Sequence, residues 1–211
     1  MPFVSFPSEY IYWSKIPNHE EIKARCNKKI DALSVESKVL DEYGSNPRDM
    51  TFSKFTEKNN FLTDDDLQSL VWKPLEEMLK QINQHSSFKI SPKDTFIETY
   101  WYSHYEKDYF QASHAHMSNP INKEGNTYYS SFSIVYILED KHEKSSLVFQ
   151  KEIPDTIPYT QYHRKHEFDT GNVPDICEGT VIIFPSCTYH YVRHCSVPGR
   201  RTIAINLMSC Y

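Results

Sequence analysis

Glycine is scarce in this chain, five residues among 211. Loops that cradle phosphates need glycine where the backbone closes on the ligand, and no nucleotide-binding fingerprint is present. Cysteine numbers five, an odd count without framework spacing, which argues against a disulfide-stapled secreted domain and for a reducing, cytoplasmic setting. The first residues show no basic-then-apolar leader. No apolar run approaches the ~18 residues that a membrane-spanning helix requires, so a soluble protein is expected. Positive charge is not in excess either: the net charge of −5 gives no global field towards nucleic acid, and nonspecific binding to it is not expected.

What the chain does have is aromatic and β-forming: 15 Tyr and 12 Phe within 39% hydrophobic and 24% charged residues. That composition and length suit one domain with a real core, mainly β. No repeat, low-complexity tract or Gly/Ser linker divides the sequence. Residues 1–94 are therefore expected to support a β-core formed by residues 95–211, with residues 151–174 as an insertion.

In chain order, Pro2 to Trp13 reads as an extended edge strand, and His19 to Leu33 as an amphipathic helix with Ile22, Cys26, Ile30 and Leu33 on one side. Ser34 to Phe61 has little pattern. Thr63 before Asp64, Asp65 and Asp66 is a helix N-terminus, because carboxylates favour the positive end of the helix dipole. The stripe Leu70, Val71, Leu75, Met78, Leu79 and Ile82 follows, with Pro74 expected to kink or split it. Thr95 to Tyr105 alternates as a strand, placing Ile97, Thr99 and Trp101 on one face. Asn119 to Ser130 reads as a loop. Ser131 to Leu138 is a strand whose Tyr136 either reaches a cavity or packs in the core. Lys151 to Pro174 shows no clear period, and its basic cluster His163-Arg164-Lys165-His166 is either a solvated face or a lid.

The chemistry concentrates in three stretches. In Ser113-His114-Ala115-His116-Met117, strand alternation would turn two imidazoles the same way. His190 follows the buried run Thr180-Val181-Ile182-Ile183-Phe184. Three neutral imidazoles suit a borderline first-row ion such as Fe(II), Zn(II) or Cu(II), with positions left open. An H-x-H pair alone is a weak signal in a chain with ten histidines. The context strengthens it: Arg200 and Thr202, two apart on one strand face, can clamp a carboxylate near the metal. Metal plus carboxylate clamp points to a chelating keto acid.

These residues carry a resemblance. Trp101-Tyr102, Phe110 to His116, Phe132 to Leu138, Glu178 to Ser186, His190-Tyr191-Val192 and Arg200 to Asn206 together resemble the 2-oxoglutarate- and Fe(II)-dependent oxygenases. The likeness is nearest to small phage- and marine-microbe-type members related to prolyl 4-hydroxylases, and it covers about half the chain. It implies a double-stranded β-helix, or jelly roll, with N-terminal flanking helices. It implies Fe(II), O2 and 2-oxoglutarate as co-substrate, with succinate and CO2 released as an unidentified small molecule or protein side chain is hydroxylated. On this resemblance His114 and His190 match two iron ligands, Arg200 binds the distal carboxylate of 2-oxoglutarate with Thr202 beside it, and Tyr136 is a further candidate for the cofactor pocket. A virus- or phage-encoded source is one implication. One departure stands out: where the family has Asp or Glu, this chain has His116. Either the site is built of three histidines, or Asp108 or Asp169 supplies a carboxylate. Two other functions fit the same pattern, a cupin-like three-histidine metalloenzyme that uses no keto acid and a non-catalytic jelly-roll binding or virion-associated module.

Overall fold

The computed structural model describes residues 3–6, 9–36, 51–54, 61–85, 90–105, 107, 110–140, 147–152 and 165–211. Among the described residues, twelve strands form two sheets. The larger runs β1 (Phe3–Phe6), β2 (Glu9–Lys15), β10 (Thr180–Pro185), β7 (Asn126–Glu139), β12 (Arg200–Cys210), β4 (Asp94–Tyr105) and β3 (Thr51–Lys54), with β6 (Ile121–Lys123) paired to the start of β7. The smaller runs β5 (Gln111–His114), β11 (Tyr189–Val192), β8 (Leu147–Glu152) and β9 (Lys165–Asp169). All pairings are antiparallel. Two antiparallel sheets face to face, with helices on the outside of the larger, make a mainly β jelly roll.

Among the described residues, three helices cover the outer face of the large sheet: α1 (His19–Glu36), α2 (Asp64–Leu67) and α3 (Lys73–His85). Ile22, Cys26 and Ile30 from α1, and Leu75, Met78 and Ile82 from α3, bury against Ile134, Tyr136, Ile203, Ile205 and Leu207 of the sheet. Each such aliphatic side chain contributes about 1.5–3 kcal/mol relative to exposure. Among the described residues no helix is long and apolar enough to cross a membrane.

The cap before α2 forms as its sequence demands. Thr63 Oγ1 accepts from the Asp66 N–H, and the Asp66 carboxylate accepts from the Thr63 N–H, which satisfies two otherwise orphaned donors. Arg25 of α1 pairs with that same buried carboxylate. Helical backbone continues through Pro74, but the run is not a single α-helix. Gln68–Trp72 widens into a π turn, with the Lys73 N–H donating to Gln68 O, and this looser turn precedes the residue that lacks a donor.

Three sequence expectations are revised. β4 does not alternate throughout: a bulge opposite Asn206 and Leu207 shifts the register, so Ile97 packs on the helix side with Tyr100 instead of sharing a face with Trp101. Asn119 to Ser130 is not all loop, because Ile121–Lys123 pairs with the start of β7. Glu124 and Gly125 connect them with positive φ, the backbone that matches strand twist in a two-residue hairpin. Within 151–174, β9 pairs with β8, so part of the expected insertion is sheet. Residues 163 and 164 of the basic cluster lie outside the described residues.

Candidate metal centre

The inner face of the large sheet looks into the sandwich. Val135 and Ile137 of β7, with Ile182 and Phe184 of β10, meet Leu147 and Phe149 of β8 and Val192 of β11 in a second apolar core. Beside that core lies a cavity whose wall includes Trp101, Tyr105, Gln111, His116, His190, Arg200 and Thr202. Histidines and arginine thus share one enclosure.

His114 and His190 are direct cross-strand partners on β5 and β11. β5 ends at His114, so His116 lies just beyond the strand, where its N–H donates to Ser186 O at 2.9 Å. His114, His116 and His190 each offer a ring nitrogen within 4.8 Å of the others. Their tautomers follow from the partners of Nδ1. His114 Nδ1 lies 2.8 Å from Ala112 O, His116 Nδ1 2.9 Å from Asn206 Oδ1, and His190 Nδ1 2.9 Å from Thr188 O. A carbonyl oxygen only accepts, so all three Nδ1 carry the proton and all three Nε2 present lone pairs.

Those lone pairs converge. His114 Nε2 and His116 Nε2 are 3.0 Å apart, with no proton between them to make the contact favourable. Two ligands bound at ~2.0–2.1 Å to a common ion sit at about this spacing. Burial also lowers the basicity of every ring. His114 is shifted down, His116 falls to about 4 through burial and its neighbour His114, and His190, 2% exposed, lies well below its ordinary 6.5 for the same reasons. At neutral pH the site is three uncharged bases, a donor set for a divalent transition ion and not a proton store.

Of the two carboxylate alternatives, the described one, Asp169, does not join this group. Asp169 caps the 3-10 turn through the Gly171 N–H and pairs with Arg193 at 3.2 Å. Asp108 lies outside the described residues. A second metal-capable group, His19, Glu20 and Glu178, differs in kind: Lys23 already places an ammonium on Glu178, and the Glu20 side chain is 85% exposed.

Arg200 is 1% exposed, with its guanidinium carbon 5.0 Å from the Tyr105 ring centroid. Its Nε and Nη1 make no hydrogen bond. Thr202, two residues on, lines the same cavity. Arg201 points the other way, donating to Asn27 at 2.9 Å and Asp31 at 2.7 Å on α1. Tyr136 is not in the cavity. Strand alternation turns Val135 and Ile137 inward and Tyr136 outward, where its hydroxyl meets His19 Nδ1 at 2.6 Å beneath α1.

Four residues escaped the sequence reading. Asn206 fixes the His116 tautomer; its signal was spacing, since Arg200, Thr202, Ala204 and Asn206 fall on one face of β12. Tyr105 lies opposite Arg200 in register, and its hydroxyl lies 3.3 Å from Gln111 Oε1. Gln111 Nε2 is 3.2 Å from His114 Nε2, so a hydrogen-bonded path joins the arginine end to the histidine end. Asp140, beside Arg200, follows a strand end and carried no pattern.

No protein-family model matches the chain, and no curated protein matches it. Solved structures do. The prolyl 4-hydroxylase of Pseudomonas putida superposes with a TM-score of 0.53 at 12% identity, over 95% of this chain and 92% of that one. The viral collagen prolyl hydroxylase from Paramecium Bursaria Chlorella virus-1, a 2OG complex, gives 0.52 at 11% over 93% and 95%. The non-heme alpha ketoglutarate dependent carbocyclase SnoK from nogalamycin biosynthesis gives 0.55 at 12% over 93% and 79%. The chain therefore has the jelly-roll fold of these oxygenase structures, with three histidines converging beside its cavity.

Proposed function

We propose that this protein is a 2-oxoglutarate- and Fe(II)-dependent dioxygenase with an all-histidine metal site. The observation that carries the reading is the pairing of two features: three convergent Nε2 lone pairs held by carbonyl partners, two of them from residues that line the cavity, and in the same cavity a buried arginine whose Nε and Nη1 donors are unused. The donor set fits the group, because the His114 and His116 lone pairs face each other at 3.0 Å and a ring nitrogen of His190 lies within 4.8 Å of both, an arrangement that a shared cation would favour. His114, His116 and His190 would hold Fe(II), and Arg200 with Thr202 would bind the distal carboxylate of 2-oxoglutarate.

Bound iron and 2-oxoglutarate would supply the oxidative chemistry, with O2 consumed and succinate and CO2 released. The chain's own residues orient and exclude. Ala112 O, Asn206 and Thr188 O keep each imidazole in its metal-binding tautomer. Phe149 and Phe184, whose rings lie 6.0 and 4.8 Å from His190, pack against that ligand and keep water from its flank. Trp101, with its ring 5.3 Å from His116, does the same on the other side. The substrate is a small molecule or a protein side chain; the hydroxylase neighbours make either reasonable.

The test is metal analysis of protein loaded anaerobically with Fe(II), followed by an uncoupled assay with ascorbate. One iron per chain and succinate formed from 2-oxoglutarate are expected. Stoichiometric metal without succinate would favour a second reading suggested by the all-nitrogen donor set, a three-histidine metalloenzyme that needs no keto acid. No stoichiometric metal would leave a binding module.

A further inference from the structure

Gln111 stands between the two ends of the cavity, and its partners fix which way its amide points. His114 Nδ1 gives its proton to Ala112 O at 2.8 Å, so the Nε2 that meets Gln111 is a lone pair. Gln111 Nε2 lies 3.2 Å from that nitrogen, and Gln111 Oε1 lies 3.3 Å from the Tyr105 hydroxyl. The reversed amide would set a carbonyl oxygen against a lone pair, so the NH2 end is the one that faces His114. Tyr105 holds it there. Burial pushes the Tyr105 hydroxyl up, with Arg200, Thr202 and Ser103 only partly offsetting it, so the hydroxyl stays protonated and donates to Oε1. Gln111, Tyr105, Ser103 and Thr202 line the same cavity as Arg200.

We propose that Gln111 is a specificity-determining residue for the iron-bound end of the co-substrate, donating an amide N–H to the chelating carboxylate of the keto acid. The inference rests on the dioxygenase reading above. An ion held by His114 Nε2 takes the lone pair that Gln111 meets, so the amide donors need another acceptor. An amide nitrogen offers no lone pair to a cation, and its N–H dipoles turn their positive ends towards the coordination sphere. They disfavour a bare ion slightly and favour an anionic oxygen beside it. Arg200 and Thr202 would then hold one carboxylate of 2-oxoglutarate and Gln111 the other, with Tyr105 packed against the arginine and hydrogen-bonded to the amide. A glutamine here selects for a ligand that is negative at both ends.

The test uses 2-oxoglutarate beside pyruvate, which has the same keto-carboxylate end and lacks the distal carboxylate assigned to Arg200. Iron affinity is read by competition with a chelator, and keto-acid binding by anaerobic titration of the visible charge-transfer band of the Fe(II) chelate, so neither readout is turnover. Gln111→Leu should bind Fe(II) at least as tightly as wild type, because N–H dipoles that oppose a cation are gone. Both keto acids should bind it about tenfold more weakly, the scale of one charge-assisted contact. Gln111→Glu keeps the shape and the acceptor for Tyr105, and so covers the case in which the leucine variant does not fold. It too should hold iron at least as tightly and bind both keto acids more weakly, since a carboxylate replaces the donor. Looser iron in these variants would mark a structural support and overturn the proposal. Unchanged keto-acid affinities, with wild-type protein binding both iron and 2-oxoglutarate, overturn it while leaving the dioxygenase reading intact. Wild-type protein that binds iron and neither keto acid overturns both.

Discussion

The two faces of the large sheet are made from the same strands and have opposite chemistry. On the helix side, Ile203, Ile205, Leu207, Ile134 and Tyr136 join one apolar layer. On the inner side the alternate residues include buried polar groups: Arg200, Thr202, Asn206, Ser103 and Ser133. Polar burial is costly unless satisfied, and here much of it is: Ser133 Oγ donates to Asn206 Oδ1 at 3.1 Å, the same oxygen that His116 Nδ1 meets. The outer face is built for stability, and the inner one accepts a stability cost for ligand chemistry. Arg200 and Arg201 put the contrast into adjacent residues, one left with bare donors in a cavity and the other pinned to α1.

The contrast breaks most severely at the histidines. His116→Ala should abolish stoichiometric iron, because it removes one of three donors, whereas His116→Asp should retain iron by restoring a two-histidine, one-carboxylate set, with some activity lost to the shorter side chain. Metal content after anaerobic loading decides. Iron in His116→Ala equal to wild type would rule out the three-histidine centre.

Arg200→Ala comes next. Iron should stay, since no ligand is touched, while the 2-oxoglutarate needed for half-maximal succinate formation should rise about ten- to a hundredfold, the value of a charge-assisted contact of roughly 1.5–3 kcal/mol. An unchanged requirement would remove Arg200 from the co-substrate site.

Asn206→Leu tests the support of a ligand and not the ligand itself. Without the amide oxygen, His116 Nδ1–H loses its acceptor, and the ring is no longer fixed with Nε2 towards its partners. A ten- to hundredfold loss of iron affinity, typical of removing such a supporting hydrogen bond, should appear in competition with a chelator while the helix-side core stays folded.

How legible this was depends on the period of the signal. Helices α1 and α3 and strands β7, β10 and β12 declared themselves because their apolar residues repeat at helical or strand spacing against one partner face. The three histidines were found through alternation and a buried run, and Arg200 through its place at the head of β12. What failed had no local period. The bulge in β4 reverses an alternation midway, and only pairing with β12 creates it. A tyrosine suits either face, so the sequence leaves Tyr136 open between cavity and core; its direction is settled by Val135 and Ile137, which pack inward. Asp140 comes within 3.8 Å of Arg200 only through folding, from sixty positions away.

The pH dependence also separates the faces. His116 has an ordinary value of 6.5 and is held at about 4 by burial and by His114. A histidine with a depressed folded value favours the native state while both states are neutral, above about 6.5, and that advantage is lost as pH falls towards about 4, because the unfolded chain takes up the proton first. The metal-free protein should therefore lose stability progressively below pH 6.5. His116→Asn, which cannot protonate there, should show a shallower loss in thermal unfolding measured across that range. Identical slopes would place the acid sensitivity elsewhere.

The smallest expected effect is at Arg201, and it is the sharpest control on the comparison. Its guanidinium donates to Asn27 and Asp31 and lies 4.0 Å from Glu139, so it staples α1 to the sheet from outside. The Asp31 side chain is 59% exposed, which places that ion pair in the range of weak surface pairs. Arg201→Ala should cost about 1 kcal/mol, partly through lost packing of its aliphatic stem. Urea unfolding should show that shift, with iron content and the 2-oxoglutarate requirement at wild-type values. The neighbouring backbone is the same in both arginine variants, so a general weakening of β12 would affect both alike. If Arg201→Ala raised the 2-oxoglutarate requirement as Arg200→Ala is expected to do, the strand's alternation would not be what divides structural from ligand-facing residues.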